Sequence, residues 1–79
     1  VYYNRAFAYK KKGRTDEAIA DFTKVIELNP NDADAYYERG VLYFSKKEYD
    51  NAWADVRRAE ELGRKSDPNF IEKLKQVSD

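Results

Sequence analysis

The stretch Tyr2-Tyr3-Asn4-Arg5-Ala6-Phe7-Ala8-Tyr9 returns 34 residues later as Tyr36-Tyr37-Glu38-Arg39-Gly40-Val41-Leu42-Tyr43. Carrying the same shift over residues 2–30 and 36–64 makes 11 of 29 pairs identical, and these include Lys12/Lys46, Asp16/Asp50, Ala18/Ala52, Ala20/Ala54, Asp21/Asp55, Glu27/Glu61 and Leu28/Leu62. A fixed period of this size marks one supersecondary unit stacked on its copy, which directs the search for function to the surface that stacking creates.

Within each copy, apolar and small residues recur with the period of a helix. Tyr2, Ala6 and Tyr9 form a stripe that ends near Gly13. Ala18, Phe22, Val25 and Ile26 form a second, stopped at Asn29-Pro30 because proline disfavours a helical residue before it. The second copy repeats the pair with Tyr36, Gly40 and Tyr43, then Ala52, Val56 and Ala59, broken around Lys46-Lys47-Glu48. Ala6 and Gly40, with Ala18 and Ala52, are the small residues that let the two helices of each hairpin approach closely. Tyr9, Phe22 and Tyr43 fill the space beside the crossings, with the hydroxyls at the edge. After Gly63, Asp67 can cap and Pro68 suits the first position of a fifth helix with the apolar face Phe70, Ile71, Leu74 and Val77. Its other face is polar, as an element closing the end of a solenoid must be. Trp53, which replaces Ile19, is expected to be partly buried against this cap. The sequence reads as all-α.

Composition narrows the functional classes. Seventy-nine residues make one small domain with a modest core. With no Cys and no His, crosslinks, the usual transition-metal ligands and imidazole-based triads are absent. No Gly-rich phosphate loop and no nucleophile with a plausible base occurs, so the expectation is no enzyme, no cofactor and no metal site. Fifteen basic and fifteen acidic side chains cancel, which removes any strong overall pull toward nucleic acid or an anionic membrane. The run Lys10-Lys11-Lys12-Gly13-Arg14 is the only basic cluster, and cations in the last turn of a helix complement its dipole, so nucleic-acid binding is disfavoured. No apolar run has membrane-spanning length. The chain reads as soluble. Zero Cys leaves the redox compartment open, with the cytoplasm favoured. Lacking an initiator Met and opening inside the first repeat, it reads as part of a longer polypeptide.

Period and residue types together resemble the tetratricopeptide repeat, W-x2-L-G-x2-Y, then A-x3-F, then P. Copy one offers Tyr2-x2-Arg5-Ala6-x2-Tyr9, Ala18-x3-Phe22 and Pro30; copy two offers Tyr36-x2-Arg39-Gly40-x2-Tyr43, Ala52-x3-Val56 and Arg64. The departures are Tyr for Trp, Arg for Leu in both copies, Val56 for Phe and Arg64 for Pro. The resemblance implies a right-handed α-α superhelix of two helix-turn-helix repeats with a fifth capping helix. The units would be residues 1–32 (truncated at the N-terminus), residues 33–66, and a cap at residues 67–79. The recurring Arg5, Arg39, Asp21 and Asp55 suggest a guanidinium to carboxylate contact in place of the missing leucine, with Arg39 to Asp21 across the stacked units as the expected pair.

Such arrays typically hold a peptide in the concave groove lined by the first helix of each unit. By that resemblance the groove residues here are Tyr3, Asn4, Phe7, Lys10 and Lys11 on helix one, and Asp34, Tyr37, Glu38, Val41, Phe44 and Ser45 on helix three. Packing against a neighbouring helix is the competing role for Tyr3, Phe7, Tyr37 and Phe44. One subtype grips a chaperone's C-terminal carboxylate with Asn, Lys and Arg. Asn4 resembles the asparagine of that clamp, but Asp34 and Glu38 stand where its Lys and Arg would be and would repel a carboxylate. The expected partner is therefore a basic or mixed-charge peptide or protein segment, not a chaperone tail. The alternative is a structural role, in which these units stack in a longer array or self-associate through the exposed first helix.

Overall fold

A computed structural model describes residues 1–78, so Asp79 of the expected cap segment lies outside the described residues. Five helices follow in order: α1 Tyr2–Lys11, α2 Thr15–Leu28, α3 Ala33–Ser45, α4 Tyr49–Glu61 and α5 Pro68–Val77. Adjacent helices pack as α1 on α2, α2 on α3 and α3 on α4, with α5 against the end of the stack.

The helix ends have local causes. Gly13, Lys47 and Gly63 have positive φ (77°, 64° and 100°) one residue before Arg14, Glu48 and Arg64. In each case the next N–H reaches back five residues to a carbonyl at 2.9 Å, to Tyr9, Tyr43 and Ala59 in turn. This 6→1 bond after a left-handed residue is how a helix satisfies its last carbonyls while reversing direction. Lys47 occupies the place of Gly13 one period on, so the second hairpin turns the same way without glycine. At the starts, Asp32 accepts from Ala35 N–H at 3.0 Å, and Asp67 accepts from Asn69 N–H at 2.9 Å with Pro68 at the first helical position.

One buried cluster joins the two units, with Ala6, Ala18 and Phe22 of the first meeting Ala35 and Leu42 of α3. Phe22 is fully buried and receives Tyr3 and Phe7 edge-on, at centroid distances of 6.0 and 5.3 Å. At Gly40 an added Cβ would lie 3.2 Å from both Asp55 Cβ and Val56 Cγ2, so α3 and α4 touch where the small residue was expected. A second cluster of Ala52, Val56 and Leu74 docks α5, with Trp53 packed against it. Trp53 Nε1 donates to Ser78 Oγ, as its expected burial against the cap requires. The cap's inward face is Phe70, Ile71 and Leu74; Val77, expected on that face, is 47% exposed and does not join the cluster.

The expected Arg39–Asp21 pair does not form. Arg5 binds Asp21 and Arg39 binds Asp55, each through two hydrogen bonds of 2.7 and 2.8 Å within its own hairpin. A period shows that Arg and Asp recur together but does not say whether they meet within a unit or across units. The hairpin decides, because it places residues 16 apart face to face. Arg39 does reach across, but to Thr23, whose Oγ1 accepts from Nη1 at 3.1 Å. Each guanidinium also lies between two tyrosine rings, Tyr2 and Tyr9 for Arg5, Tyr36 and Tyr43 for Arg39. The tyrosines that recur on the stripe thus flank the recurring arginine in both units.

Candidate functional site

The first helices of the two units, α1 and α3, are joined by Lys10 Nζ, which donates to Glu38 Oε1 at 2.6 Å. Lys10 also stands over the Phe7 ring at 5.8 Å. Phe7 in turn packs edge-on to Tyr3 at 5.1 Å. Tyr3, Phe7 and Val41 are half-buried and Asn4 is exposed, so this face combines partly open apolar surface with polar groups. Burial pushes the Tyr3 hydroxyl above its ordinary pKa, and the carboxylates of Asp34, Asp32 and Glu38 push the same way while Arg64 opposes them.

The remaining expected residues have other neighbours. Tyr37 is only 7% exposed. Its hydroxyl accepts from Asp67 N–H at 3.2 Å, and Phe70 of the cap stands edge-on to its ring at 5.8 Å. Phe44 is covered by the same Phe70 at 5.3 Å and by Tyr49 at 5.9 Å. These two aromatics form the floor on which α5 rests. Phe70 brings the cap onto α3, and the sequence pattern alone could not distinguish a ring held open for a ligand from one held under the cap. Lys11 and Ser45 are exposed at the far ends of α1 and α3.

Arg64 joins this surface although the expected set did not include it. Its guanidinium lies 4.4 Å from the Tyr37 centroid and its Nε lies 3.3 Å from Asp34 Oδ1. The usable signal was Gly63: a glycine ending the helix fixes where the next residue points. The basic run at residues 10–14 is dispersed by pairing, Lys10 with Glu38 and Arg14 with Glu17, which leaves Lys11 and Lys12 exposed. Among the described residues no group of three or more acidic or other metal-ligating side chains converges on a metal position, and no helix is long and apolar enough to cross a membrane.

Two stacked helical hairpins of the same 34-residue period define a helical-repeat fold. The chain belongs to the tetratricopeptide repeat family: one TPR repeat model matches residues 8–47, and a second tetratricopeptide repeat model matches residues 33–65. Among curated relatives, it is 40% identical to Hsp70-Hsp90 organizing protein 2 of Arabidopsis thaliana over 77 residues, 98% of this chain and 13% of that protein. It is 42% identical to Hsp70-Hsp90 organizing protein 1 of Glycine max over 74 residues, 94% of this chain and 12% of that protein. With tetratricopeptide repeat protein 13 of Homo sapiens it shares 39% identity over 64 residues, 81% and 7% of the two chains. The chain thus spans about an eighth or less of the length of these relatives.

Proposed function

We propose that the α1/α3 face is a groove that binds a segment of another protein without catalysing a reaction. The segment lies over Tyr3, Asn4, Phe7 and Val41 and is basic or mixed in charge, not a C-terminal carboxylate tail. Charge at positions 34 and 38 carries this reading. Asp34 is 60% exposed beside Arg64 and Glu38 is matched by Lys10, so an incoming carboxylate meets two acids whose cations are already engaged and no free cation on α3. The Hsp70-Hsp90 organizing proteins are named for the chaperones they organise. Chaperone complexes are therefore the first partners to test, engaged through a segment other than a terminal carboxylate.

Fluorescence anisotropy with two labelled peptides of equal length separates these ligands, one ending in Glu-Val-Asp with a free carboxylate and one basic and amidated. The basic peptide should bind about tenfold tighter, a difference of ~1.4 kcal/mol, and should weaken as salt rises. Tighter binding of the carboxylate peptide overturns the charge assignment.

One asymmetry favours a second reading, that the outer face of α1 receives another helix. Arg39 is 17% exposed because it bonds Thr23 of the preceding unit, whereas Arg5, with the same fork on Asp21, is 51% exposed. An adjacent unit or a second copy would give Arg5 the matching acceptor. Concentration-dependent dimerisation in sedimentation velocity, abolished by Ala8→Glu on that face, supports this reading; a monomer at all concentrations removes the second copy as the occupant.

A further inference from the structure

Arg64 stands where the repeat pattern has proline, and the structure places it on the candidate groove. Gly63, at φ 100°, reverses the chain after α4, and the Arg64 N–H is tied to the Ala59 carbonyl at 2.9 Å. From that fixed backbone the guanidinium lies over the Tyr37 ring, at the shortest cation to ring distance among the described residues, 4.4 Å. Asp34 is at the rim, 3.3 Å from Nε, yet Nε is shielded from solvent and has no hydrogen-bond partner. The contact satisfies charge and stacking but not the donor.

We propose that Tyr37 and Asp34 form a seat for an arginine side chain of the bound segment, and that Arg64 is the chain's own occupant, displaced when the ligand arrives. This rests on the groove reading above and names the residue that the groove selects. The chemistry is specific to a guanidinium: it is planar, stacks on an aromatic face and offers paired donors to a carboxylate, whereas an ammonium is a compact, strongly hydrated point charge. Asp34 is exposed enough to present both oxygens to an incoming fork. Arg64, held by its backbone, brings only an out-of-line Nε. When Arg64 leaves, it uncovers the ring face that the arriving guanidinium covers again, so the exchange is nearly neutral in apolar exposure. The gain is the set of charge-assisted hydrogen bonds that Arg64 leaves unmade. Glu38 does not compete for the ligand because Lys10 holds it.

The probes are acetyl-Gly-Arg-Gly-amide and its lysine twin, titrated into the natural chain, Arg64→Ala and Arg64→Gln while amide and Tyr37 ring resonances are followed. If Arg64 holds its own seat about nine-tenths of the time, emptying the seat should tighten arginine binding about tenfold. Both variants should show this gain, with shifts centred on Tyr37 and Asp34 and with the lysine peptide unchanged. Arg64→Gln retains part of the side chain over the ring and keeps the test valid should Arg64→Ala lose its fold. No gain, or an equal gain for lysine, overturns the seat and leaves Arg64 as a latch between the α4–α5 turn and α3, detected only as a lower melting temperature. Shifts at Tyr3, Phe7 and Val41 without arginine preference sink the seat while the groove reading stands. Failure of every basic or mixed-charge peptide to bind removes the groove reading itself.

Discussion

Replacing Asp55 by Ala leaves the Arg39 guanidinium inside the second hairpin with Thr23 as its one remaining hydrogen-bond partner and the Tyr36 and Tyr43 rings at 5.8 and 5.7 Å. The pair it breaks is sheltered, with 17% of the Arg39 side chain and 7% of the Asp55 side chain exposed, and it is closed by two bonds of 2.7 and 2.8 Å. Hydrogen bonds to charged groups contribute ~1.5–3 kcal/mol each, and removing one partner of a buried pair costs ~3–5 kcal/mol. Partial exposure and the surviving Thr23 contact place Asp55→Ala near the low end, about 3 kcal/mol. A chain of this size has a total stability of roughly 4–12 kcal/mol, so the variant should melt ~12–24 °C lower. The decisive assay is a double-mutant cycle in urea with Arg39→Met and Asp55→Ala, run beside one with Arg39→Met and Asp21→Ala. The first should couple by about 2 kcal/mol and the second by less than ~0.5 kcal/mol. Equal coupling in both cycles, or none in the first, refutes the pairing within hairpins. The Arg5–Asp21 pair has the same bonds but a far more exposed guanidinium, so its own cycle should give the weaker coupling of the two.

Leu74→Ala removes the fully buried anchor of α5 and should cost ~2–5 kcal/mol in denaturant unfolding, with amide protection lost first in α5; a loss below ~1 kcal/mol means the cap is not docked through Leu74. Gly40→Ala gains ~1 kcal/mol of helix propensity but forces a Cβ against Asp55 Cβ, Val56 Cγ2 and the Ala52 carbonyl, of which only the valine methyl can rotate away. The net should be a loss of about 1 kcal/mol, and a stabilised variant contradicts the close approach of α3 and α4. Arg5, bonded to Asp21, holds that carboxyl below its ordinary pKa. The stability from this pair is therefore complete above the unfolded carboxyl value of ~4 and is lost as pH falls through the lower folded value. Melting temperatures measured from pH 6 downward should fall less steeply below about pH 4 in Asp21→Asn than in the natural chain, and parallel slopes remove the linkage.

The fold was legible because its determinants are local and doubled. The helical stripes, Asn29-Pro30, Asp67-Pro68 and the small residues at the crossings each have a short-range meaning, and each helix lies where those residues place it. The turn at Lys47 was legible only by analogy with Gly13, since no residue type there announces a positive φ. Contacts that depend on which of two equivalent partners is nearer were not legible. Arg39 chose Asp55 over Asp21 because the hairpin is closer than the stack, and the period is blind to that difference. The candidate surface divided in the same way. Asn4, Phe7, Lys10 and Glu38 fall together on α1 and α3, whereas Tyr37 and Phe44 lie under Phe70, because the cap presents its aromatic ring where their pattern reads as open. Arg64 went unnoticed as a surface residue because its position depends on the backbone reversal at Gly63, not on any helical periodicity.

The claim that the α1/α3 face binds a protein segment is tested most directly by mapping amide chemical-shift changes on the natural chain as the basic, amidated peptide is added. The changes should saturate and cluster at Tyr3, Asn4, Phe7 and Val41, with little effect at Ala20 and Leu28 on α2 or Ala54 on α4, all exposed residues of the second helices. Saturating changes centred on those second-helix residues, or no saturable change at all, would contradict it.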